Sequence, residues 1–206
     1  MDVSAPHAAI CPTLDSSVLT VLAGTTKPLT GREVARLVGR RSHRGVLDVL
    51  NRLADHGLVD REQAGRALLF TLNRDHLAAP AVRVLAGMRA ELLERLKSAV
   101  SQWSVAPVHC SLFGSAARGD GTTESDIDLF FVRPDRVSED DQTWLEQRDT
   151  LARQVQRWTG NHAGIVEVSQ GALASLVERQ PPIVGELRRD AVVLYGAQIE
   201  RLLGER

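Results

Sequence analysis

Seven consecutive residues, Asp126-Ile127-Asp128-Leu129-Phe130-Phe131-Val132, limit what this chain can fold into more than any other stretch of it. The apolar run predicts a buried strand, and strand alternation sends Asp126 and Asp128 to one face while Ile127 and Leu129 go to the other. At two-residue spacing the carboxylates stand about 6 to 7 Å apart at their Cα atoms. Like charges so placed repel, so the arrangement makes sense beside a divalent cation, and hard oxygen ligands favour Mg²⁺ or Mn²⁺. A second strand-like run, from Val108, ends in Gly114-Ser115 and opens into a short helix through Ala116, Ala117 and Arg118. Glycine at that turn allows an anion to approach bare backbone amides at a helix N-terminus.

Taken together, Gly114-Ser115, Arg118-Gly119 and Ser125-Asp126-Ile127-Asp128-Leu129 resemble the nucleotidyltransferase domain of the polymerase-beta-like superfamily, particularly its minimal bacterial members. The motif covers about twenty residues, and the resemblance extends more loosely over 104–196. It implies that an acceptor hydroxyl attacks the α-phosphorus of an NTP, ATP foremost, and that pyrophosphate leaves. By that resemblance Asp126 and Asp128 hold two Mg²⁺ or Mn²⁺ ions that bridge the triphosphate. The family completes its metal site with a third carboxylate on a neighbouring strand, which Ile165-Val166-Glu167-Val168 offers as Glu167, a longer side chain than the aspartate often found there. Glu167 would complete the site of the metal nearer the nucleophile and help to deprotonate the acceptor. Gly114 and Ser115 would grip the terminal phosphates, Arg118 would neutralise triphosphate charge, and Ser125 would hydrogen-bond phosphate. Arg118 has a salt bridge to Asp120 or Glu124 as its structural competitor, and Ser125 a cap at the strand entry.

The N-terminal half is organised differently. Val18, Leu19, Val21 and Leu22 recur at helical spacing after Asp15 and stop at Gly24. Thr30 with Glu33 three residues on predicts a capping box, with Val34, Leu37 and Val38 forming the apolar face. Ser42 caps a third helix in which Val46, Val49, Leu50 and Leu53 share a face until His56-Gly57. Residues 58–72 read as two strands around a turn at Gly65. Three helices and a hairpin resemble a winged helix-turn-helix DNA-binding domain. That resemblance puts Ser42, His43 and Arg44 at the recognition-helix N-terminus facing base edges, and Arg40, Arg41, Arg61 and Arg66 against phosphates. Charge agrees: from Lys27 to Arg44 there are six basic residues and one acid, Glu33.

Across 206 residues the formal net charge of −1 hides a division, 14 Lys and Arg against 10 Asp and Glu up to residue 105 and 11 against 16 after it. The expected class is α+β with two domains: a winged helix over 1–74, a linker helix over 75–103, and a nucleotidyltransferase domain with a mixed sheet over 104–206. No apolar run suits a bilayer, the N-terminus lacks a secretory pattern, and Cys11 and Cys110 form no CxxC, so a cytoplasmic protein without disulfide or zinc framework is expected. The resemblances imply a nucleotidyltransferase coupled to DNA binding and transcription regulation, in a toxin-antitoxin pair with a separately encoded partner, and a homodimer on a two-fold DNA site. The competing reading is a transcriptional regulator whose second domain senses nucleotide without turning it over.

Overall fold

The computed structural model describes residues 1–39 and 42–204, so Arg40 and Arg41 of the expected phosphate contacts lie outside the described residues. The chain forms two compact units, Ala5–Arg89 and a second made of Met1–Ser4 with the chain from Ala90 onward.

In the first unit, α1 (Leu14–Ala23), α2 (Gly31–Val38) and α3 (His43–Asp55) accompany a three-stranded antiparallel sheet. The short β1 (Leu29–Thr30) pairs with β3 (Ala67–Leu72), which pairs on its other edge with β2 (Val59–Ala64). The capping box forms: the Thr30 hydroxyl accepts from the Glu33 amide, and the Glu33 carboxylate accepts from the Thr30 amide at 2.8 Å. Ser42 caps α3 by accepting from Gly45 N at 3.1 Å. The hairpin closes at Gly65-Arg66 between paired Ala64 and Ala67, with Gly65 at φ 60°, a left-handed conformation that glycine adopts without steric cost. Val18, Leu22, Val34, Val46, Leu50 and Phe70 are fully or almost fully buried and make one core.

The expected linker helix over 75–103 is corrected to two helices, α4 (Ala79–Ala86) and α5 (Met88–Ser101). The periodic apolar pattern runs across the break without interruption, but Gly87 terminates α4, donating to Arg83 O at 2.9 Å. Glycine disfavours a helix interior by about 1 kcal/mol relative to alanine, which the apolar periodicity does not register.

The second unit is built on a four-stranded mixed sheet in the order β6-β5-β4-β7, in which β4 is His109–Phe113, β5 Ile127–Arg133, β6 Ala163–Ser169 and β7 Val192–Gly196. The β5–β6 pair is parallel and the other two are antiparallel. Helix α6 (Gly114–Arg118) follows β4, α7 (Gln142–Thr159) joins β5 to β6, and α8 (Leu173–Arg179), α9 (Pro182–Asp190) and α10 (Ile199–Leu203) complete the unit. One face of the sheet contributes Leu112, Ile127, Leu129 and Phe131 to a core with Leu92 and Leu96 of α5 and Trp144, Leu151 and Val155 of α7. Trp103 stacks on Phe131 with centroids 5.1 Å apart and meets Trp144 edge-on, so these indoles are core. The opposite face sends Phe113, Phe130 and Val132 against Leu173, Val184, Leu187, Ile199 and Leu203. Asp128 belongs to this second face, near where α6 and α9 pack together. Among the described residues no helix is long and apolar enough to cross a membrane.

Candidate active site

The carboxylate pair is delivered as strand alternation requires, with Asp126 exposed just before β5 and Asp128 half-buried within it. Registered partners on neighbouring strands share a face, and Asp128 stands between Phe113 on β4 and Gly164 on β6. Two glycines make room for its carboxylate. A Cβ at Gly114 would collide with Asp128 Oδ2, and one at Gly164 would lie 2.7 Å from Oδ1. Gly114 also holds φ 66°, so both its conformation and its clearance exclude a side chain. The Gly114-Ser115 turn and the carboxylate are therefore in direct contact.

Burial raises the pKa of Asp128 above the ordinary carboxylate range, and the negative charges of Asp126 and Glu186 raise it further, against an opposing pull from Arg118. An uncompensated pair of this kind suits a divalent cation, and Asp126 and Asp128 are the residues that would hold one. Among the described residues no three His, Cys, Asp or Glu side chains gather closely enough to hold a metal ion.

Glu167 requires a correction. It pairs with Phe131, which places it on the sheet face opposite Asp128. Its carboxylate accepts from Arg133 Nε at 2.6 Å, Arg148 Nη1 at 2.7 Å and Trp144 Nε1 at 2.8 Å, with its side chain 13% exposed. Both of its carboxylate oxygens serve this cluster, which ties β5, β6 and α7 together behind the sheet. The spacing of an acid within an apolar strand is visible in the sequence, whereas the pairing register that decides its face is not.

Around the carboxylates, Ser115 sits in the first turn of α6, and Gly121 packs so near it that a Cβ there would meet Ser115 Oγ at 3.2 Å. Ser125 is occupied as a turn closer: its hydroxyl accepts from Thr122 N at 2.9 Å. Arg118 donates through Nε to Asp120 at 3.0 Å and through Nη1 to Asp190 at 3.2 Å, so the expected Asp120 bridge forms and is joined by a second. Sequence reasoning missed Asn161, 3% exposed, whose amide donates to Ser125 O at 2.8 Å and Thr123 O at 3.3 Å and so fixes the approach to Asp126. It also missed Gly164, for which a glycine inside an apolar strand is a readable sign of close approach. His109 is buried, its Nδ1 donates to Ala197 O at 2.6 Å, and burial lowers its pKa; it takes no place beside the carboxylates.

In the first unit Ser42, His43, Arg44 and Arg66 are exposed, Ser42 to Arg44 at the start of α3 and Arg66 at the hairpin tip. Arg61 is committed to α3, donating to Asn51 Oδ1 at 3.1 Å.

Residues 90–179, which include the paired-carboxylate strand and the Gly114-Ser115 turn, match the nucleotidyltransferase domain family. This part of the chain carries a domain of that class. No curated protein and no solved structure matches the chain.

Glu167→Ala would leave the buried Arg133 and the partly buried Arg148 without their counter-charge, and a loss of about 3 kcal/mol in urea-denaturation stability is expected. Asp128→Asn should act in the opposite direction in the presence of a chelator. A folded-state pKa raised above the unfolded value means that ionised Asp128 subtracts stability above that pKa, and the subtraction fades as pH falls toward the ordinary carboxylate range. The asparagine variant is therefore expected to melt higher than wild type at neutral pH, with the gap narrowing in acid.

Proposed function

We propose that this chain is a metal-dependent nucleotidyltransferase that moves the NMP of an NTP, ATP foremost, onto a hydroxyl of a protein, an RNA or a small molecule. The observation that carries this reading is the contact of Asp128 with the Gly114 turn, which puts cation-binding and phosphate-binding groups within one side chain of each other. The acceptor oxygen forms a bond to the α-phosphorus, the bond from that phosphorus to the bridging oxygen breaks, pyrophosphate departs, and the hydroxyl proton passes to water. Mg²⁺ or Mn²⁺ held by Asp126 and Asp128 would supply Lewis-acid stabilisation of the charge that develops. Ser115 and the turn amides orient the phosphates, and Arg118 offsets their charge. Ser125 shapes the loop leading to Asp126.

The first unit is proposed as a DNA-binding module of winged helix-turn-helix type, with Ser42, His43 and Arg44 toward base edges and Arg66 toward phosphate. Arg40, Arg41 and Arg61 remain part of that proposed surface. By the resemblances, the chain would also work with a separately encoded toxin or antitoxin partner and as a homodimer.

One observation favours a second reading. With Glu167 locked on the far face, the carboxylate set is smaller than the family resemblance implies, which suits a domain that binds nucleotide and reports it to a DNA-binding unit without turnover.

Incubation with each α-labelled NTP, Mg²⁺ and bacterial lysate is expected to yield labelled acceptor with one nucleotide, and nuclease or protease digestion will identify its class. Asp128→Ala should lower transfer by about 100-fold or more. Saturable nucleotide binding without transfer, in Mg²⁺ or Mn²⁺, would favour the sensing reading. Joint replacement of Arg44 and Arg66 by alanine should weaken duplex binding, and the loss of Arg66 as a phosphate-neutralising cation should flatten its dependence on log salt concentration by about 1.

A further inference from the structure

Helix α9 lies beyond the residues that match the nucleotidyltransferase family, yet its C-terminal end is bonded to the motif helix α6. Asp190, the last residue of α9, has a side chain only 8% exposed, and it accepts from two guanidinium groups. Arg118 Nη1 donates to its Oδ2 at 3.2 Å; Arg189 donates through Nη2 to Oδ2 at 2.8 Å and through Nε to Oδ1 at 3.0 Å. The Arg189 bonds hold the Asp190 carboxyl below its usual range, with a second contribution from Arg118.

The direction of the two helices places this cluster. Gly114 begins α6 against the Asp128 carboxylate, and Arg118 lies one turn further along the same helix flank. Glu186 stands one turn before Asp190 on α9, and its charge is felt at both Asp128 and Arg189. Running from Asp190 to Glu186 along α9 therefore retraces α6 from Arg118 back toward the carboxylate pair. Helix α9 packs on α6, and Asp190 with its neighbour Arg189 borders the Gly114–Arg118 helix.

As a device for stability the cluster is poorly matched to its cost. Arg189 is 63% exposed, and ion pairs so exposed contribute little to stability. As a device for orientation it is well matched. A carboxylate that accepts from two guanidinium groups leaves on each of them N–H groups that it does not use, and a guanidinium fork matches phosphate oxygens.

Resting on the nucleotidyltransferase reading, we infer that Arg118 and Arg189 form a two-arginine clamp for the terminal phosphates of the nucleoside triphosphate, with Asp190 as the positioning residue that holds both. Arg189 and Asp190 thereby join the site from outside the family motif. The clamp recognises the polyphosphate and is indifferent to the base.

The test is isothermal titration calorimetry of the full chain with Mg·ATP and, separately, with Mg·tripolyphosphate, which has no nucleoside. Wild type is expected to bind both. Arg189→Ala, at a position too exposed to unfold the domain, and Asp190→Asn should each weaken both ligands by about 10-fold or more, in line with loss of a charge-assisted bond. Arg189→Lys should recover part of the affinity, because it restores charge without the fork. Thermal melting of each variant separates positioning from folding: a lower Tm with unchanged tripolyphosphate affinity would overturn the clamp. Unchanged affinity in Arg189→Ala would overturn it equally. Failure of wild type to bind either ligand would instead remove the nucleotidyltransferase reading on which the clamp depends.

Discussion

The carboxylate of Asp128 is pressed between two glycines, Gly114 of the α6 turn and Gly164 of β6, and the rest of the second unit is arranged around that contact. A side chain at either position would displace the carboxylate from the turn. The strand that carries Asp128 is otherwise among the most buried segments of the chain, with Ile127, Leu129, Phe130, Phe131 and Val132 at 1% exposure or less. A charged group on such a strand is held where ionisation is disfavoured, and burial raises its pKa first among the causes. The core therefore supplies both the rigidity that places the charge and the unfavourable electrostatics that a bound cation would relieve.

The two faces of the sheet divide two kinds of acid between them. On the α7 face, Glu167 is met by Arg133, Arg148 and the Trp144 indole, and a charge with that many partners is a fastening between strands and helix. On the α9 face, among the described residues, Asp126 and Asp128 have no such set of partners and stand beside a glycine turn. The same residue chemistry thus serves structure on one side and candidate chemistry on the other, and the difference lies in what the opposing elements carry.

Much of this was legible in the sequence. Helix starts at Thr30 and Ser42, the stop at Gly24, the hairpin turn at Gly65 and the strand with Asp126 and Asp128 on one face all follow from local rules that act within a few residues. The break at Gly87 was not legible, because an apolar stripe continues through it and marks a shared face without marking continuity of the helix. The orientation of Glu167 was not legible either, because a one-residue change in the β5–β6 register would exchange its face, and register is set by tertiary pairing. Asp190 was silent for a similar reason: its partner Arg118 lies 72 residues away, and only the packing of α9 on α6 brings them together.

The proposed site places a cation and a triphosphate at Asp126 and Asp128, beside Gly114, on the α9 face of the sheet. Crystals of the full chain grown with Mn²⁺ and a non-hydrolysable ATP analogue, with data collected at the manganese edge, test it most directly. An anomalous peak bonded to the Asp126 and Asp128 carboxylates and to phosphate oxygens is expected, with Glu167 still bound to Arg133 and Arg148. A peak coordinated by Glu167, or a bound analogue with its phosphates away from the Gly114 turn, would contradict it.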